Sequence, residues 1–431
     1  MTTRRSSANA SASASANASA NASADDRADA GCAPGDDARA SERPRARVTG
    51  DVRTSCPMWH VKNHPMSGIT PWALCAVLRR WGGGVDARRS AGKVAFLWAM
   101  SWANACAAIG DWVLGVRWRR TRVRDDPVII VGHPRTGTTH LHNVLARDEG
   151  RFGTCTTFDV GFPSGFLTSR FLAPLMEKMM DDTRPMDNMA LTMSTPQEDE
   201  LATNQLSAGA SPYSALMFMT EEPKFRKYIE LREDHEEYPI EKEELERWRS
   251  AFMTFVRKLQ YKCGEDKRLL LKSPVHAARI RLLRSIFPRA QFVFISRHPY
   301  EVFQSTMNMV DKYYWQCYFK EPTQDQVLDY VLTHGEMLHN AYVRDSKELP
   351  ADALYEVRFD DLDTKPLETM RKLYEHFEWD GFDENVAPTL RAYTQSLADF
   401  KKNKFEPLSD DAKKLVQRRW HRWFTDLNYQ M

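Results

Sequence analysis

Gly132-His133-Pro134-Arg135-Thr136-Gly137-Thr138-Thr139 sets two glycines, one cation and three hydroxyls between the apolar run Val128–Val131 and a helix-forming stretch from His140 to Ala146. A glycine loop there turns successive backbone N–H groups, and the positive end of a helix dipole, toward one point, which suits an anion such as phosphate. The spacing is that of a P-loop, but Thr138 stands where that motif has its lysine. Enzymes acting on nucleoside triphosphates use the lysine at the β and γ phosphates, so its absence argues for another kind of nucleotide. Arg135 is left to supply the charge within the loop. Further along, Lys272, Arg297 and Ser305 offer two more cations and a hydroxyl, and Asp159, Glu198, Glu200 and His276 offer groups able to take a proton.

The elements around these residues are those of an α/β sheet. Leu269–Leu271 reads as a strand ending at Lys272, Ile280–Phe287 as a helix, and Gln291–Ser296 as a strand ending at Arg297. Two strands thus deliver a cation at their carboxyl ends, where open α/β sheets bind ligands. Ser305 lies eight residues beyond Arg297, about two helical turns into the following helix, so the pair can grip one phosphate. Leu245, Trp248, Phe252, Phe255, Val256 and Leu259 predict an amphipathic helix over 239–262, and Leu354–Phe359 predicts a late strand.

In their order and types these motifs resemble those of sulfotransferases that use 3′-phosphoadenosine 5′-phosphosulfate (PAPS). The resemblance covers roughly residues 120 to 430, most closely the large branch reading Lys-Ser-Pro-x-His, here Lys272–His276, and Pro-x-Glu-Asp-Glu, here Pro196–Glu200. It implies a P-loop-like, doubly wound parallel sheet flanked by helices. It also implies a 5′-phosphosulfate loop of Pro134, Arg135, Thr136, Gly137, Thr138 and Thr139, and a 3′-phosphate pair of Arg297 and Ser305. Lys272 then bridges the leaving phosphate and the sulfuryl group. Phe400–Phe405 resembles the lysine-asparagine loop over the nucleotide, with Lys402 or Lys404 toward the 3′-phosphate, although its usual glycines are missing. Some members of the branch sulfate lipids or lipid-like quinols, and the acceptor the resemblance implies is a hydroxyl of a carbohydrate, lipid or other small molecule. The other readings are a P-loop kinase or NTPase, which Thr138 argues against, and a noncatalytic, membrane-associated nucleotide-binding protein.

Sulfuryl transfer needs charge stabilised on the transferring oxygens and the leaving phosphate, with donor, sulfur and acceptor in line. Arg135, Lys272 and the amides of 136–139 suit that task without a metal. A carboxylate or imidazole must also accept the acceptor's proton. Asp159 is the first candidate, being near where the family carries a catalytic glutamate. Glu198 follows, in an acidic cluster with Asp199 and Glu200 whose like charges can raise a pKa. His276 is third, two residues out of register with the histidine of cytosolic relatives.

Of 431 residues, 42% are apolar and 11% aromatic, enough for a sizeable core. Sixty Lys and Arg against 58 Asp and Glu leave +2, which gives no support to a nucleic-acid partner. Seven cysteines without a Cys-x-x-Cys pair argue against a disulfide framework and structural zinc.

Three regions are expected: 1–55, 56–125 and a sulfotransferase domain over 126–431. The first is alanine, serine and asparagine followed by mixed charge, a composition that remains disordered. Its start carries Arg4 and Arg5 and no acid before Asp25, as transit peptides do, which points to a plastid; the family resemblance points to the Golgi or another internal membrane. In the second, Val94–Gly110 is uncharged over 17 residues, just short of a membrane span. Trp112 and Trp118 follow beside Arg117, Arg119 and Arg120, which suits an interfacial helix or a helical hairpin over the acceptor cleft. The Met-rich segment from Met176 to Met193 suits an adaptable apolar acceptor wall.

Overall fold

The apolar runs become five strands: β1 (Val128–Gly132), β2 (Phe152–Thr154), β3 (Arg268–Lys272), β4 (Gln291–Ser296) and β5 (Leu354–Arg358). They are seen in a computed structural model that describes residues 50–431 apart from 56, 58–63, 179, 181–182, 185, 398–402 and 404. The order is β2-β3-β1-β4-β5 and every pairing is parallel. β1 is buried along its whole length, as expected of a strand covered on both faces. Alternate residues serve opposite cores. Ile129, Val131, Leu271 and Phe292 point to one, with Trp248, Phe252 and Phe255; Val128, Ile130, Leu270 and Val293 point to the other, with Leu141, Val144 and Met370.

The chain builds one side of the sheet with β2 and β3 and the other with β4 and β5, so the strand order reverses beside β1. Ile130 pairs with Lys272 and Gly132 with Ile295, which brings the carboxyl ends of β1, β3 and β4 to one edge. This is the crevice at a topological switch point where doubly wound sheets bind ligands.

Among the described residues two long helices precede the sheet, α1 (Pro71–Trp81) and α2 (Ala91–Val113), with the short helical turn Gly115–Trp118 after them. The uncharged run at 94–110 falls within α2, whose inward face carries Lys93, Ser101, Asn104 and Asp111 beside Leu97. Among the described residues no helix is long and apolar enough to cross a membrane. Lys93 Nζ donates to the Tyr318 carbonyl at 2.7 Å, Asn104 Nδ2 donates to that of Ser67 at 2.7 Å, and Asp111 pairs with Lys258. The 56–125 segment is thereby part of the same compact unit as the sheet. Of the segment expected to be disordered, residues 1–49 lie outside the described residues.

The remaining helices that position the site are α3 (Thr138–Leu145), α4 (Asp199–Leu206), α5 (Lys242–Cys263) and α6 (Pro299–Lys312). The predicted helix over 239–262 is α5, which begins three residues later, with Glu241 at its N-cap.

Candidate active site

Between β1 and α3 the loop folds tightly enough to require its glycines. Gly137 caps α3 at φ 101, and a Cβ there would meet the Phe359 ring at 2.4 Å. A Cβ on Gly132 would meet the Ile295 carbonyl oxygen at 2.6 Å. Arg135 itself adopts φ 74, a conformation that costs a non-glycine residue on the order of 1–3 kcal/mol and marks functional loops. The loop is pinned from within: Thr136 Oγ1 donates to the His133 carbonyl at 2.8 Å, and His133 Nδ1–H donates to that of Pro134 at 2.6 Å. Burial against Trp420 and Trp423 pushes the His133 pKa down to about 3, so its ring stays neutral.

Lys272 closes β3 almost wholly buried, with Nζ 2.7 Å from Glu198 Oε1 and 3.5 Å from Thr139 Oγ1. Tyr213 donates its hydroxyl to the other Glu198 oxygen. Burial works to raise the Glu198 carboxyl, but the Lys272 charge and the hydrogen bonds from Lys272 and Tyr213 prevail and hold it below its ordinary value. Burial depresses the Lys272 ammonium, partly offset by Glu198.

The two sequence motifs meet behind this pair. Asp199 accepts from the Lys272 backbone N–H at 3.1 Å, from Ser273 Oγ at 3.3 Å, and lies 2.6 Å from His276 Nε2. Glu200 is held by Arg279 and Ser211, each at 2.7 Å. These carboxylates fix the start of α4 against the end of β3, which sets Glu198 opposite Lys272.

Arg135, Gly137, Thr138 and Thr139 of the loop, with Arg297 and Ser305, line one cleft of about 1060 Å³, together with Asp187, Met189, Phe359 and Asn403, while Pro134 and Thr136 lie behind it. Arg297 reaches across the Phe359 ring, 4.3 Å from its centroid, and donates to Glu301 at 2.7 Å. Ser305, on α6, accepts from Arg135 Nε at 3.0 Å, while Arg135 Nη1 donates to Asp187 at 2.8 Å. Arg184 donates to Thr139 Oγ1 at 3.3 Å and lies 3.5 Å from Asp187. A carboxylate therefore sits among the cations that face the cleft.

Pro134, Arg135, Thr136, Gly137, Thr138 and Thr139 form the loop as expected from their spacing, and Lys272, Glu198, Arg297 and Ser305 gather around the same edge of the sheet. Asp159 does not join them. It is 1% exposed, closes a capping box with Thr156 and pairs with Lys262, so its carboxylate is committed to the helix Thr157–Gly161. His276 is fully buried against Asp199 and does not line the cleft. Lys402 and Lys404 lie outside the described residues, although Asn403 and Phe405 between and beyond them line the cleft. Sequence reasoning missed Arg184, Asp187 and Tyr213. Arg184 and Asp187 lie inside the Met-rich segment, where a cation and an acid three residues apart were the signal available.

Residues 127–384 match the model of the Sulfotransferase family. Two curated relatives, each an omega-hydroxy-beta-dihydromenaquinone-9 sulfotransferase Stf3, come from Mycobacterium bovis and Mycobacterium tuberculosis. Each is 32% identical over 324 residues, 74% of this chain and 80% of the relative. Among solved structures, sulfotransferase STF9 from Mycobacterium avium superposes with a TM-score of 0.60 at 15% identity, covering 84% of this chain and 98% of its own. STF1 from Mycobacterium tuberculosis gives 0.55 at 16% identity, with 81% and 91% covered.

Proposed function

The chain belongs to the sulfotransferase family, and we propose that it transfers the sulfuryl group of PAPS to a hydroxyl on a lipophilic small molecule. The observation that carries this reading is the convergence of the glycine loop, Arg135, Lys272 with Glu198, Arg297 and Ser305 on one edge of the sheet, four of these five around a single cleft. The loop amides and Lys272 hold the 5′-phosphosulfate, and Arg297 and Ser305 hold the 3′-phosphate. Asp187 pairs with Arg135, so its carboxylate competes with the donor for that cation.

Glu198 is the proposed general base. Paired with Lys272 it is a weak base, because its carboxyl is held low. When Lys272 turns to the donor's phosphosulfate, Glu198 loses its cation in a buried setting and its pKa rises. It then takes the proton of the acceptor hydroxyl as the oxygen attacks sulfur; one S–O bond forms, the S–O bond to the phosphate breaks, and adenosine 3′,5′-bisphosphate leaves with the electron pair. Support for a lipophilic acceptor comes from Met189, Ala190 and Leu397 in the cleft wall, and from the mycobacterial relatives named for a menaquinone substrate.

Calorimetric titration of adenosine 3′,5′-bisphosphate into the protein and into Arg297→Ala, with ATP and magnesium as control, tests the donor. Metal-independent binding that weakens by about 2 kcal/mol in the variant is expected. No binding, or a preference for ATP with magnesium, overturns the reading.

A further inference from the structure

Helix α2 is apolar on its outward face as well as toward the core. Its inward side packs Leu97, with Val94, Phe96 and Trp98 partly buried beside it, and also holds Lys93, Ser101, Asn104 and Asp111, each hydrogen-bonded or ion-paired within the protein. Its outward stripe, Ala95, Ala99, Trp102, Cys106, Ile109 and Val113, recurs every three or four residues and is exposed throughout. Trp102 is 62% exposed, Ile109 61% and Trp112 68%. A surface helix ordinarily carries polar residues on its outward stripe, so this apolar stripe calls for a cover.

We propose that this face docks on an anionic bilayer surface, with α2 lying in the plane of the interface. Charge selects that occupant over a second copy of the chain. From Ala87 to Arg124 the one acid is Asp111, which is buried and paired with Lys258. Exposed Arg88 precedes α2, beside Arg89, which pairs with Glu321, and exposed Arg117, Arg119 and Arg120 follow it. Two copies set face to face would oppose these cations, whereas anionic headgroups complement them at both ends.

The face continues toward the acceptor side. Asp111 accepts from the backbone N–H groups of Leu167 and Thr168, at 3.2 and 2.9 Å, so α2 caps the short helix Phe166–Ser169. A Cβ on Gly110 would strike Thr168 Oγ1 at 2.4 Å, which fixes the two elements in contact. Directly after that helix Phe171 stands 78% exposed, followed by Leu175 at 55%. The same segment supplies Ala173, Pro174, Arg170 and Lys178 to a second cavity of about 550 Å³, whose wall at Ser194 also belongs to the main cleft. A lipophilic acceptor leaving the bilayer at Phe171 would meet this cavity first. That delivery rests on the sulfotransferase reading; the docking does not.

The test is co-sedimentation of the full chain with vesicles of phosphatidylcholine, alone or mixed with phosphatidylglycerol, beside Trp102→Glu/Ile109→Glu and Arg119→Ser/Arg120→Ser. Both sites are solvent-exposed, so thermal unfolding and adenosine 3′,5′-bisphosphate binding should match the parent. The parent is expected to sediment with the anionic vesicles, less so as salt rises, and its tryptophan fluorescence to be quenched by brominated lipid. Each double variant should bind at least about tenfold more weakly. A parent that stays in the supernatant, variants that sediment equally, or a solution dimer abolished by the glutamates would each overturn the proposal. Failure to bind adenosine 3′,5′-bisphosphate while docking persists would instead remove the donor reading alone.

Discussion

With Lys272 2.7 Å from Glu198, the cation that would hold the donor and the proposed base neutralise each other. Replacing Glu198 by Gln removes the proton acceptor but keeps a hydrogen-bond partner for Tyr213. Transfer should fall by roughly 10²–10⁴ in kcat while donor affinity holds, as measured with radiolabelled sulfate. Lys272→Ala should lose donor affinity as well as rate. Because Glu198 is held below its ordinary value while it pairs with Lys272, the acid limb of kcat/KM for the donor should lie below the usual carboxylate range, and a limb near neutrality there would exclude Glu198 as the base. Asp187 gives the opposite sign. Its carboxylate competes for Arg135, so Asp187→Ala should tighten adenosine 3′,5′-bisphosphate binding by about 1 kcal/mol in calorimetry.

Helix α4 and strand β3 depend on one another through Asp199, which is fully buried and accepts from the backbone N–H of Lys272, the last residue of β3, and from the side chain of Ser273 just beyond it. Asp199→Ala leaves these donors and His276 without their partner, and should cost about 3 kcal/mol in denaturant unfolding. Gly137→Ala should be harmful for a different reason: at φ 101 with Phe359 at 2.4 Å, neither backbone nor ring can accept a methyl, so donor binding should fall even where the fold survives. Calorimetry beside thermal unfolding separates the two effects. The loop, β3, β4 and α6 were legible in the sequence because each is a local pattern, an apolar run ended by glycine or a cation. The pairing of Glu198 with Lys272 was not, since it joins residues 74 apart in the chain. Asp159 misled for a related reason. A Thr-x-x-Asp capping box and a site carboxylate look alike until Lys262 is seen to cover one of them. The uncharged run at 94–110 likewise gave the composition of α2 but not the side on which its few polar residues lie.

Burial extends to titratable groups throughout the protein, and this fixes how it responds to acid. His64, His133 and His142 are each pushed by burial to a pKa of about 3. Their ordinary value is 6.5, so between those limits the unfolded chain binds protons that the folded one refuses. Glu198 and Asp199 add to this at lower pH. Burial opposes their ionisation, but Lys272 and His276 hold both below their ordinary values, so they too are protonated first in the unfolded state. Both kinds of group act in one direction: stability is fully present above the unfolded histidine value and declines as pH falls. Three histidines acting together give a slope of about 4 kcal/mol per pH unit between pH 6 and pH 4. A domain's whole stability is on the order of 5–15 kcal/mol, so a loss of this size should bring on acid unfolding before most carboxylates titrate. Denaturant unfolding followed at a series of pH values checks this, and His133→Asn with His142→Asn should flatten the slope by about two-thirds if the folded pair remains neutral. A stability that stays level down to pH 4 would mean that these rings gain protons inside the folded protein.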